Sequence, residues 1–248
     1  MHRVDVGWLA AILLGGCSGG SGGGGGCPAP VLEATNGTAL VLEGGHVEIE
    51  AATLTSYEDA TLQAWVRLAD DLGADRQIAG KGRPGETPAF VLFADGGENP
   101  AVGFDDGGGG FETSVAVAGD IPLGTWTHVA VAWNTSSLAF YVNGAVVVNT
   151  TTVTGPAVAS DAPIFLGGGL DEGGQPWAGD IDEVRLWAGA HDVGQILGDY
   201  ESMMTGLESE LLAAWNFEES GRTVADVMPA CHSGKVKGEY SRTSDAPF

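Results

Sequence analysis

Basic residues are scarce in this 248-residue chain. Ten Lys and Arg stand against 33 Asp and Glu, a formal net charge of −23. That balance excludes a nucleic-acid partner, which needs clustered cations to displace counterions. It equally excludes an electrostatic hold on anionic lipid. Cysteine is rare too, at 3 residues, and no Cys/His spacing of the zinc type occurs. The apolar run Trp8–Leu14 is too short for a mature membrane-spanning helix, which needs about 20 residues. No P-loop is present, and Gly-x-Ser-x-Gly occurs only within the Gly/Ser-rich residues 16–23, which is not the strand–turn–helix setting of a nucleophile elbow. The 41 glycines cluster instead of recurring every third residue, so collagen is excluded. What the chain does have is 44% hydrophobic residues, enough apolar surface to offset chain entropy and exclude simple disorder. A neutral ligand or a cation suits its negative field.

The N-terminus points to export. The run Trp8–Leu14 leads into Leu14-Gly15-Gly16-Cys17, and residues 18–26 are all Gly or Ser. A short apolar segment ending in small residues reads as a signal peptide over 1–16. The four residues before and including Cys17 resemble a bacterial lipobox, which implies acylation of Cys17 and an outer-membrane lipoprotein. An ordinary secretory signal with an incidental cysteine is the alternative. Residues 17–30 then form a lipidated, flexible tether, and the folded domain occupies 31–248. With Cys17 acylated, Cys27 and Cys231 remain as an even pair in an oxidising compartment, so a disulfide between them is expected.

From Val31 onward, short alternating apolar runs are separated by Gly, Pro, Asn and Asp, the pattern of an all-β sandwich. The clearest local signal is Asn143-Gly144 between two β-rich runs, which predicts a type I′ hairpin. Helical spacing of Val193, Ile196, Leu197 and Tyr200 predicts one short helix over 192–201. A strand is expected at 235–240.

Certain segments carry a family resemblance. They are Ala39–Ile49, Thr61-Leu-Gln-Ala-Trp-Val-Arg67, Gly124–Trp133 with its following hairpin, Gly179-Asp-Ile-Asp-Glu-Val-Arg-Leu-Trp187 and Ala214–Asp226. Together they resemble laminin-G-like jellyroll domains of the concanavalin A-like class. The resemblance implies an antiparallel two-sheet jelly roll. For function it implies a non-catalytic cell-envelope module that binds glycans or a protein partner. A glycoside hydrolase or lyase, or an envelope scaffold, is the alternative on the same sandwich.

Candidate sites follow from the acids. Strand alternation puts Asp182 on the same face as Val184 and Leu186, and a carboxylate facing a core needs a partner or a metal. The resemblance implies a structural calcium at the end of this strand, with Glu43 and Asp182 as its first ligands. A salt bridge to Arg185, or a cap of backbone amides, competes with that reading. Retaining glycosidases need two carboxyl groups about 5–5.5 Å apart, and Asp180-Ile-Asp-Glu183 lacks the flanking glutamates of the glucanase pattern. Asp105, Asp106, Asp171 and Glu172 sit beside glycine clusters in loops that suit a cation or sugar hydroxyls. Trp65, Trp126, Trp133, Trp187 and Trp215 fall in strand motifs and read as core. Trp177 is the one tryptophan expected at a surface. His128 reads as a satisfied sheet histidine.

Overall fold

The structure is a computed structural model. It describes residues 37–51, 53–55, 57–70, 73–105, 107, 110–115, 120–150, 159–172, 174–228 and 232–248. The expected signal, Cys17, the tether, Cys27, Asp106 and Cys231 lie outside them.

Most strands appear where the short apolar runs predicted them. In chain order they begin with β1 (Ala39–Glu43), β2 (His46–Ile49), β3 (Ala60–Leu68), β4 (Arg76–Lys81), β5 (Phe90–Ala94) and β6 (Pro100–Asp105). Next come β7 (Phe111–Val115), β8 (Thr127–Trp133), β9 (Leu138–Val142), β10 (Ala145–Thr150), β11 (Ile164–Leu166) and β12 (Gln175–Pro176). The long β13 (Ala178–Ala188) precedes α1 (Val193–Tyr200). Last are β14 (Leu211–Trp215), β15 (Thr223–Val224), β16 (Gly234–Lys237) and β17 (Tyr240–Thr243).

These strands form two sheets. The first runs β10-β9-β8-β3-β13-β1-β17, with β14 also on β13. The second runs β15-β16-β2-β11-β4-β5-β6-β7, with β12 also on β4. All pairings are antiparallel except β12 with β4. The inner faces of both sheets close on one core that includes Leu62, Ala64, Val66, Phe90, Phe104, Trp133, Trp177 and Trp215. Burying each such large side chain contributes about 1.5–3 kcal/mol.

The Asn143-Gly144 turn has φ of 50° and 76°, the signs a type I′ hairpin demands. The expected strand over 235–240 is instead two strands. Gly238 takes φ +75° between them, so β16 stays in the second sheet while β17 crosses to pair with β1 in the first.

Helix α1 covers the outer face of the first sheet. Asp192 caps it, accepting from the backbone of Gly194 and Gln195, and the Gln195 side chain closes a capping box. Its buried residue, Ile196, packs on Ala130, Ala132, Ala139 and Tyr141. The small alanines leave room for the helix to approach the strands.

Candidate functional site

A cavity of about 450 Å³ lies among Thr55, Arg83, Glu86, Thr87, Ala89, Asp105, Ala159, Ser160 and Asp161. Four separate parts of the chain build it. The connection from β2 to β3 supplies Thr55, and the β4–β5 loop supplies residues 83–89. The end of β6 supplies Asp105, and the segment entering β11 supplies residues 159–161.

Its walls are held from below by buried polar contacts. Lys81, fully buried at the end of β4, donates from Nζ to the carbonyl of Ala51 at 2.9 Å and that of Ala162 at 2.5 Å. Tyr57 donates its hydroxyl to the Ser160 carbonyl at 2.6 Å and accepts the Ser160 backbone amide at 3.2 Å. The Tyr57 ring leans edge-on against Phe90, and its carbonyl accepts the Trp133 indole. Thus the wall at 160–162 is tied to the core by two side chains. Burial lowers the Lys81 pKa to about 8 and raises that of Tyr57 to about 12.

The β4–β5 loop turns at Gly85, whose φ is +82°, with Glu86 N–H donating to the Arg83 carbonyl. The Asp171 carboxylate accepts the Gly85 amide at 2.5 Å and pins this loop from outside the cavity. Across the opening, the Arg83 guanidinium meets Asp161 at 2.9 Å. Their hydrogen bond and mutual attraction raise the Arg83 pKa and lower that of Asp161. Asp105 accepts the Gly107 amide at 2.8 Å and leaves further acceptor capacity for a ligand. Carboxylates, a guanidinium and hydroxyls are the groups available, and no lining residue is aromatic. Such a lining offers hydrogen bonds and no ring for stacking.

The expected loop residues divide accordingly. Asp105 lines the cavity and Asp171 positions its loop. Glu172 is exposed and does not line the cavity; its backbone carbonyl accepts from Gln77 at 3.4 Å. Trp177 corrects the surface expectation. It is fully buried in the core, with its indole N–H donating to the Asp180 carbonyl at 3.1 Å. The parallel pairing of β12 with β4, unforeseen in the sequence, carries the ring inward. Trp126 departs the other way. It is half-buried, under the Arg67 guanidinium at 5.1 Å, and its indole donates to Asp245.

The expected Glu43–Asp182 pair also needs correcting. Glu43 is exposed and stands opposite Ala178, four positions from Asp182 along β13, or about 13 Å at the usual strand rise. The two acids therefore do not meet. Nor does Asp182 face the core with Val184 and Leu186. Glu183 has φ +46° and the β13–β3 register slips between Asp182 and Arg185, so this bulge reverses the alternation. Asp182 pairs with Trp65 on the outer face, 3% exposed. Burial raises its pKa well above the ordinary carboxylate value, and Glu183 adds to the rise. Nearby, Arg67 pairs with Asp180, and Arg185 with Glu183 at 2.9 Å. Among the described residues no group of three or more His, Cys, Asp or Glu is placed to hold a metal ion.

His128 is satisfied on one side only. Its Nε2 meets the Gln63 Oε1 at 3.0 Å, its buried Nδ1 has no partner, and burial lowers its pKa to about 3. The sequence reading missed Thr55, Arg83, Glu86, Thr87, Ser160 and Asp161. The Pro- and Gly-rich stretch Gly82–Pro88 between two strong strands was the one available signal.

A concanavalin A-like lectin/glucanase family model matches residues 42–197. The chain belongs to that superfamily. Its sandwich overlays, at TM-score 0.67 and 18% identity, a Bacteroides ovatus protein proposed to bind carbohydrate, covering 86% of this chain. The match spans 61% of that longer protein. A heptameric pentraxin from Limulus polyphemus matches at TM-score 0.57 and 15% identity, over 84% of this chain and 94% of its own. Domain 4 of an extracellular arabinanase from Geobacillus stearothermophilus, solved with arabinotriose, matches at 0.55 and 20%, over 72% and 82%. No curated protein matches the chain.

Proposed function

We propose that this lectin-like domain is a glycan-binding module and that the cavity between Arg83 and Asp105 takes the ligand. The observation that carries the reading is the lining itself. Glu86, Asp105 and Asp161 accept hydrogen bonds, Arg83 donates them, and Thr55, Thr87 and Ser160 do both. A hydroxyl-rich ligand satisfies such a set of groups, whereas an apolar one would strand them. Similarity to the Bacteroides protein and to the arabinotriose-bound domain supports the choice of carbohydrate. We further propose that the module is exported, anchored through an acylated Cys17 and held off the outer membrane by the Gly/Ser tether.

A glycan array of the purified chain, run with calcium and with EDTA, tests the ligand. Saturable binding to one glycan class is expected, lost in a variant combining Arg83→Ala with Asp105→Asn. Absence of binding in both arms, or binding unchanged in that variant, overturns the assignment. A difference between the arms reports on calcium separately.

A further inference from the structure

Thr53, His232 and Asp226 form a continuous relay, brought together from distant parts of the chain. The Thr53 hydroxyl lies 2.7 Å from His232 Nε2, across a sequence separation of 179. On the other side of the ring, His232 Nδ1 lies 2.9 Å from Asp226 Oδ2. Asp226 is 2% exposed and accepts the backbone amides of Ala214 at 3.1 Å, Met228 at 2.9 Å and His232 at 3.2 Å. A carboxylate so surrounded by donors is an acceptor at Oδ2, so His232 carries its proton on Nδ1. The Nε2 lone pair is then free to accept from Thr53. The His232 carbonyl takes the Trp215 indole N–H at 2.8 Å, which further fixes the residue. Thr53 itself is exposed, at the rim of a turn closed by Leu54 N–H on the Ala51 carbonyl.

A hydroxyl on an oriented imidazole, with a buried carboxylate behind it, is the arrangement that activates an alcohol for acyl transfer. We propose that Thr53 is such an activated nucleophile and accepts acyl groups from esters. In the step, His232 Nε2 takes the hydroxyl proton as Thr53 Oγ1 bonds to the acyl carbon. The ester C–O bond then breaks, and the departing alcohol leaves with that proton. Water reverses the sequence, releasing the carboxylic acid and restoring Thr53. Asp226 stays ionised throughout and steadies the transient imidazolium. This chemistry is independent of the glycan reading.

The test uses p-nitrophenyl acetate on the full chain, read by p-nitrophenolate release and by peptide mapping of the acetyl group. Acetylation maps to Thr53, persists in Thr53→Ser and disappears in Thr53→Ala. In His232→Gln the Thr53 rate falls by about 100-fold or more, within the usual range for losing a general base. Should that variant not fold, carbethoxylation of His232 in the wild-type chain serves instead and abolishes acetylation of Thr53. Acetylation confined to lysines, or a Thr53 rate indifferent to His232→Gln or to carbethoxylation of His232, shows the relay to be a structural staple and overturns the proposal.

Discussion

The Asp182 carboxylate accepts the backbone amide of Glu183 at 2.8 Å, inside a bulge that turns both acids away from the core. That contact is local and leaves the buried charge poorly compensated, since burial and Glu183 both favour the protonated acid.

Asp182→Asn keeps the Oδ1 acceptor and removes the charge. With its pKa raised on folding, Asp182 stabilises the fold most below the unfolded value. That contribution is lost as pH rises through the folded value. The variant should therefore melt higher than wild type at pH 7, by on the order of 1 kcal/mol. The gap should close near pH 3.5. Thermal melts at the two pH values decide it, and a variant less stable at pH 7 would show the carboxylate to be stabilising as a charge.

Lys81 carries a pH dependence of opposite sense. Its pKa is near 8 in the fold and 10.5 outside it, so protons favour the unfolded chain between those values. Its contribution is full above the unfolded pKa and is lost as pH falls through about 8. Urea unfolding of wild type and Lys81→Met should thus diverge from pH 8 to pH 10, wild type gaining relative to the variant. Parallel curves would mean that the ammonium is well solvated.

The β-sandwich was legible because short apolar runs are punctuated by Gly, Pro, Asn and Asp. Burial alternates in β2 and β16, whereas β3, β4, β5, β8 and β9 are buried along nearly their whole length. The helix was legible from Val193, Ile196, Leu197 and Tyr200, and the hairpin from Asn143-Gly144. What escaped was non-local. Trp177 follows Gln175-Pro176 and reads as loop, yet pairing of that dipeptide with Arg76 and Gln77 buries it. One extra residue in β13 reversed the facing of Asp182, and alternation cannot register a bulge in advance. The cavity draws on Thr55, Arg83, Asp105 and Asp161, which become neighbours only after the sheets form. Asp105 was anticipated because it ends a strand beside glycines, and the guanidinium opposite Asp161 was not.

We propose a disulfide between Cys27 and Cys231 and an acyl chain on Cys17. Non-reducing peptide mapping of the exported protein should recover one cross-linked peptide, and two free thiols would sink the pairing. Cys17→Ser should move the protein from the membrane fraction to the soluble one. Unchanged processing and fractionation would rule out the anchor.

The most informative substitution for the cavity is Tyr57→Phe. It deletes one hydroxyl that lines nothing itself but holds both the carbonyl and the amide of Ser160. Loss of that hydrogen-bonded hydroxyl should cost about 1–2 kcal/mol of stability, because the ring still fills its place against Phe90. Glycan affinity should fall further than stability alone explains. Ser160 and Asp161 would no longer be fixed opposite Arg83, and a loosened wall must be ordered again on binding. Calorimetric titration below the melting range separates the two effects. A variant that loses stability but binds its glycan at wild-type affinity would place the ligand away from the 159–161 wall.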